Sequence, residues 1–133
     1  MSTAPTDSPA SIPDGASPAD GASQADEAAR DIADVAAVEV ITTAAVHLMS
    51  AAAVKCGLAE DAESSSHLDL DEARKLITAL AALVTASAPD IGNQHARSLR
   101  DGLRSLQLAF REASVVPDAP GEGPGEKYTG SVV

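Results

Sequence analysis

The sequence predicts an all-α fold: a three-helix domain, made of a long first helix and a helical hairpin, between disordered N- and C-terminal tails. Three observations predict it. Apolar residues recur at three- and four-residue spacing in three stretches between residues 28 and 114. Cap and stop residues fall between those stretches. Proline and glycine crowd the two ends.

Residues 1–27 hold Pro5, Pro9, Pro13 and Pro18 and no basic residue. Low hydrophobicity and unbalanced charge cannot support a core, so this segment reads as a disordered acidic arm. A degenerate hexad runs inside it, SIPDGA, SPADGA and SQADEA, starting at Ser11, Ser17 and Ser23. It has no regular apolar position, so it is a tether or an acidic docking arm and not a stacked solenoid.

The three-helix domain is expected over residues 28–114. Helix one is read from about Asp26 to Gly57, with Asp26, Glu27 and Asp31 early and Lys55 late, as the helix dipole favours. Gly57 is its stop. Val38, Ile41, Ala45, Leu48, Met49, Ala52 and Cys56 make one stripe, and Val40, Thr43, His47 and Val54 the opposite side. After an acidic loop, Asp69 and Glu72 have capping-box spacing and start helix two. Leu70, Ala73, Leu76, Ile77, Leu80, Leu83 and Val84 form its core face, and Pro89 is expected to end it. Asp90 then caps helix three, whose core stripe is Leu99, Leu103, Leu106 and Phe110, to about Ala113. The tail 115–133, PDAPGEGPGEKYTGSVV after the valines, reads as disordered.

Composition narrows the function. A net charge of -11 repels DNA and anionic membranes. Phe110 and Tyr128 are the whole aromatic inventory, so bases have little to stack on. Cys56 is the one cysteine, which rules out an internal disulfide and suits a reducing, cytoplasmic setting. The start MSTAPTDSPA lacks a charged and apolar leader. Val40 to Val54 would rise only about 22 Å, short of the roughly 30 Å hydrocarbon core, so no membrane span is expected.

No phosphate-binding glycine loop, serine elbow or paired metal-binding histidines occur. No catalytic residue, metal ligand or cofactor is therefore assigned, and the chain is read as non-enzymatic. His47 and Cys56 face opposite sides of helix one. Residues 61–72, DAESSSHLDLDE, approach a calcium loop but place Ser66 where the turn needs glycine, so no calcium site is expected. The end, Ser131-Val132-Val133, could engage a carboxylate-binding domain.

Two surfaces remain. Helix one is apolar all round between Val40 and Val54 and needs cover on two sides. Val40, His47, Ala51 and Val54 are thus the candidate interface of a homodimer. His47 sits in that face as a bonded interface residue or a pH-sensitive contact. On helix three, Arg97, Arg100, Arg104 and Arg111 lie within roughly 60° of arc. They could pair with Asp31, Asp34, Glu39 or the acidic arm, or contact an acidic protein or RNA phosphates.

The blocks VITTAAVHLMSAAAVKCGLAE, LDLDEARKLITALAALV and LRDGLRSLQLAFREAS resemble the bacterial domain-of-unknown-function family 1844. The end PDAPGEGPGEKYTG looks like that of its high-GC Gram-positive branch. His47, Leu48, Gly57 and Leu58 match the family's histidine-leucine and glycine-leucine pairs, and Asp69 and Ala73 match its second-helix start. A Lys-Thr-x-Gly-Asn-Leu turn found outside this branch is replaced by TASAPDIGNQ. The resemblance implies a small helical domain with no assigned activity. Neighbouring genes for translation initiation factor 3 and ribosomal proteins, as in relatives, would imply a ribosomal partner.

Overall fold

The computed structural model describes residues 33–58 and 67–133. The chain divides into two units, Met1–Ala36 and Ala37–Val133. Only residues 33–36 of the first are described, so the acidic arm, its hexads and most of the acidic loop lie outside the described residues.

The second unit has three long helices, α1 (Ala37–Lys55), α2 (Leu70–Ile91) and α3 (Asn93–Ala113), and one short turn of helix, α4 (Glu126–Thr129). No strand occurs among the described residues. Each long helix packs against the other two, and α4 lies against α2.

Helix α1 starts later than expected. Ala33 and Asp34 are helical but Val35 and Ala36 are not, so the expected single helix is interrupted there, and Glu39 is the acid of α1's first turn. Glu39 meets the dipole's preference there, and Asp26, Glu27 and Asp31 lie outside the described residues. The far end is as read. Gly57 takes φ 80°. Its N–H donates to the Val54 carbonyl at 3.0 Å, and the Leu58 N–H donates to Ala53 at 2.9 Å. That pair of bonds is the Schellman closure, and it needs a residue that tolerates positive φ.

Asp69 caps α2, its Oδ1 accepting the Glu72 N–H at 3.2 Å. The reciprocal half of the box is absent. The Asp69 N–H donates to the Lys55 carbonyl at 2.8 Å, and Glu72 pairs with Lys75 at 2.7 Å. The start of α2 is thus tied to the end of α1.

Pro89 does not end α2. The helix continues to Ile91, and Gly92, at φ 88° and ψ 152°, is the single residue between α2 and α3. A proline in the last turn removes only one hydrogen bond. Burial of Ser87 and Ile91 on both sides of it holds that turn helical. Asp90, inside α2, therefore caps nothing, and α3 begins with no side-chain cap.

The core follows the predicted faces. Ala45, Ala52 and Cys56 meet Ala73, Ile77, Leu80, Ala81 and Val84, and Leu99, Leu103, Leu106 and Phe110 close the third side. Ile77, Leu80, Leu103 and Val84 are the largest fully buried side chains, each worth about 1.5–3 kcal/mol of hydrophobic burial. Gly102 lets Met49 of α1 come against α3, since a Cβ there would fall 2.5 Å from the Met49 sulfur.

The segment after Val116 overturns the expectation of a disordered tail. It folds back over α2 and α3 as an ordered strap. The Asp118 carboxylate accepts two bonds from Arg74, at 3.0 and 3.1 Å, and its carbonyl accepts one from Arg111 at 3.0 Å. Buried Gln107 donates to the Pro124 carbonyl at 3.0 Å and to the Thr129 hydroxyl at 3.1 Å. The Glu126 carboxylate, itself buried, accepts the Gly123 N–H at 2.8 Å and the Val132 N–H at 3.0 Å. Proline and glycine leave a chain unfolded only when its backbone finds no partners. Here core-side polar groups supply them.

Candidate functional site

The strap changes what the arginines of α3 face. Arg97, Arg100 and Arg104 are exposed, and Arg111 is half-buried against the strap. Their shared arc is real, but their surroundings differ. Arg97 borders a shallow surface dip with Asn93, Gln94, Ser98 and Asp101. Arg100 and Arg104 instead line a cavity of about 300 Å³ between α3 and the strap. Arg111 is occupied by Asp118. No described residue forms an ion pair with Arg97, Arg100 or Arg104, and the described salt bridges are Arg74–Asp118 and Lys75–Glu72. The expected pairing with Glu39 does not form. Asp31 and the acidic arm lie outside the described residues.

Val84, Leu103 and Val132 floor the cavity, and Thr85, Gln107, Tyr128, Thr129 and Ser131 complete its wall. None of these residues is acidic. Several of the wall's polar groups are already engaged. Gln107 spends both amide protons on Pro124 and Thr129, and the Ser131 hydroxyl donates to the Val133 carbonyl at 2.9 Å. Beside the Thr85 and Tyr128 hydroxyls, the two guanidiniums supply the charged donors that remain open. Lys127 lies outside the cavity lining, with its Nζ 5.2 Å from the Tyr128 ring centre.

Sequence reasoning missed Gln107, Tyr128 and Thr129 as site residues, and placed Ser131 only in a C-terminal docking motif, because the strap was read as unstructured. One signal was available: Tyr128, one of only two aromatics, sits in the middle of a glycine-rich run.

On α1 the candidate interface is placed as follows. Val40 is 44% exposed and His47 is exposed. Ala51 and Val54 are half-buried. Val46, outside both predicted stripes, is the most open large apolar residue of the helix at 52%. It lies on the flank of the outer side, about 80° around the helix from Val54 and about 100° from His47.

Cys56 is buried at the other side of α1, and burial pushes its thiol pKa up. A raised pKa keeps the group a thiol and makes it a poor nucleophile. Among the described residues no three His, Cys, Asp or Glu side chains come together as a metal cluster. Half of the calcium-like loop, residues 61–66, lies outside the described residues. Of its three described acids, Asp69 is engaged by the α2 N-terminus and Glu72 by Lys75, while Asp71 is exposed.

The family described as Domain of unknown function (DUF1844) matches residues 37–112, more than half of the chain. No curated protein and no solved structure matches. The matched span covers all three long helices and stops before the strap.

Proposed function

This chain belongs to the family described as Domain of unknown function (DUF1844), whose description carries no activity, and we propose that it is a non-enzymatic interaction protein self-associating through the outer face of α1. One observation carries the reading. From Val40 to Val54 the helix holds no formally charged residue, yet Ala45 and Ala52 are its only buried positions within α1. An apolar helix that the described residues leave partly uncovered gains by meeting a second copy, and small residues let the two backbones approach.

The same helix, Ala37–Lys55, is long and apolar enough to cross a membrane by length and composition. Flanking charges Glu39 and Lys55 and the tight packing of Ala45 and Ala52 on α2 favour the soluble arrangement. The test is sedimentation equilibrium at micromolar concentration, with Val46→Glu beside the wild type. Val46 is open in the single chain, so the charge leaves the fold intact. Twice the chain mass, reduced to one by the substitution, supports the reading. A single-chain mass throughout, or flotation with lipid vesicles, overturns it.

A second reading rests on Arg97, Arg100 and Arg104 exposed along one side of α3. They suit an acidic ribosomal partner or RNA phosphates. Binding that weakens steeply with salt, and weakens further in Arg97→Gln, supports it.

A further inference from the structure

We infer that the cavity between α3 and the strap is a binding site for a small phosphomonoester with an apolar body. Four observations converge there. Arg100 and Arg104 stand one helical turn apart on the same wall and form no ion pair with a described residue. None of the lining residues is acidic, although the chain carries a net charge of -11. The floor of Val84, Leu103 and Val132 is apolar. The volume, about 300 Å³, stands at the lower end of the range for small-molecule sites.

The chemistry selects the ligand class. Two guanidinium forks present more donors than one carboxylate can accept, whereas a phosphomonoester offers three oxygens and a charge of about -1.5 to -2. With both forks on the phosphate, the ester's organic part lies over the valine and leucine floor. The cavity is too small to enclose a run of nucleotides, and with one aromatic in its wall it lacks a stacking platform. The strap completes the site, contributing Tyr128, Thr129, Ser131 and Val132. The site therefore exists only in the docked conformation.

The protein carries its own reporter. Tyr128 is the one tyrosine and there is no tryptophan, so emission excited at the tyrosine band comes from the cavity wall. The experiment titrates the full chain at fixed ionic strength with n-butyl phosphate, inorganic phosphate, butyrate and n-butanol. The expected result is a saturable change with n-butyl phosphate, a weaker one with inorganic phosphate and with butyrate, and none with n-butanol. Arg100→Gln and Arg104→Gln should each weaken n-butyl phosphate binding roughly tenfold or more, as loss of a charge-assisted hydrogen bond does. Arg97→Gln, on the same helix but outside the cavity, should bind as the wild type does. Far-UV circular dichroism confirms that the exposed substitutions keep the helices. No saturable change, or one that survives both cavity substitutions, overturns the assignment. So does a response to single-stranded RNA that n-butyl phosphate fails to reproduce, which would make the arginines a polymer contact.

Discussion

Gly125 stands so close to α2 that a Cβ built on it would fall 2.7 Å from the Ala81 Cβ and 3.3 Å from the Ile77 carbonyl oxygen. Its φ is 76°, so two independent requirements exclude a side chain there. Gly125→Ala should cost about 2–4 kcal/mol, adding backbone strain to overpacking. Gly121 separates the two effects. It also has positive φ, 86°, but nothing lies within 4 Å of its Cβ position. Gly121→Ala should cost only the strain, about 1–2 kcal/mol. Urea denaturation of both variants checks this, and equal losses would show that the approach to Ala81 does not constrain the strap.

The strap is expected to stabilise the helices it covers. Gln107 is buried and ties two points of the strap, and Val132 is buried at its end. Removing residues 118–133 would leave the Gln107 amide and the Leu103 floor newly exposed. A loss of about 2–4 kcal/mol is expected from the broken hydrogen bonds and uncovered apolar surface. Gln107→Ala in the full chain should reproduce part of it, since the Pro124 carbonyl loses its donor. Thermal melts unchanged by truncation would mean that the strap detaches at no cost.

The helices were legible because their signals are local. Leu99, Leu103, Leu106 and Phe110 repeat at helical spacing, and Gly57 and Asp69 mark ends by conformations that few residues adopt or by a side-chain cap. Pro89 misled because its local preference was outweighed by burial of Ile91, which depends on the other helices. The strap was illegible for a related reason. Its order rests on Gln107, Arg74 and Ala81, which lie 17 to 44 residues away along the chain for the first two. A composition rich in proline and glycine describes the strap's own low tendency to fold and not the groove that receives it. The arginine arc could be drawn on a helical wheel, but its division between cavity, strap and open surface needed the strap's path.

Burial of Cys56 gives a pH signature. Its folded thiol is held above its unfolded pKa of about 8.5. Folding therefore favours the protonated form. The stability difference is constant below pH 8.5 and declines as pH rises through the unfolded value toward the folded one. Between pH 7.5 and 9.5 the wild type should lose more stability than Cys56→Ala. The thiol should also react with a disulfide reagent much more slowly in the native protein than in urea. Native and unfolded rates that agree would place the sulfur at the surface.

Arg74 and Asp118 give the last test, of how the strap's near end is held. The guanidinium donates from one nitrogen to both carboxylate oxygens and lies 5.0 Å above the Phe110 ring centre. Arg74 is 43% exposed and Asp118 29%, so solvent screens the pair and most of the naked Coulomb energy is lost. A coupling of about 0.5–1 kcal/mol is expected from a cycle of Arg74→Ala, Asp118→Ala and the double variant. Arg74→Lys should recover little of it. A lysine keeps the charge but lacks the planar group that spans carboxylate and ring together. Raising salt to 1 M should reduce the coupling while leaving the cost of Gly125→Ala unchanged, because packing is not screened. A coupling near zero at low salt would shift the anchoring of the strap to Arg111, Gln107 and the contact of Gly125 with α2.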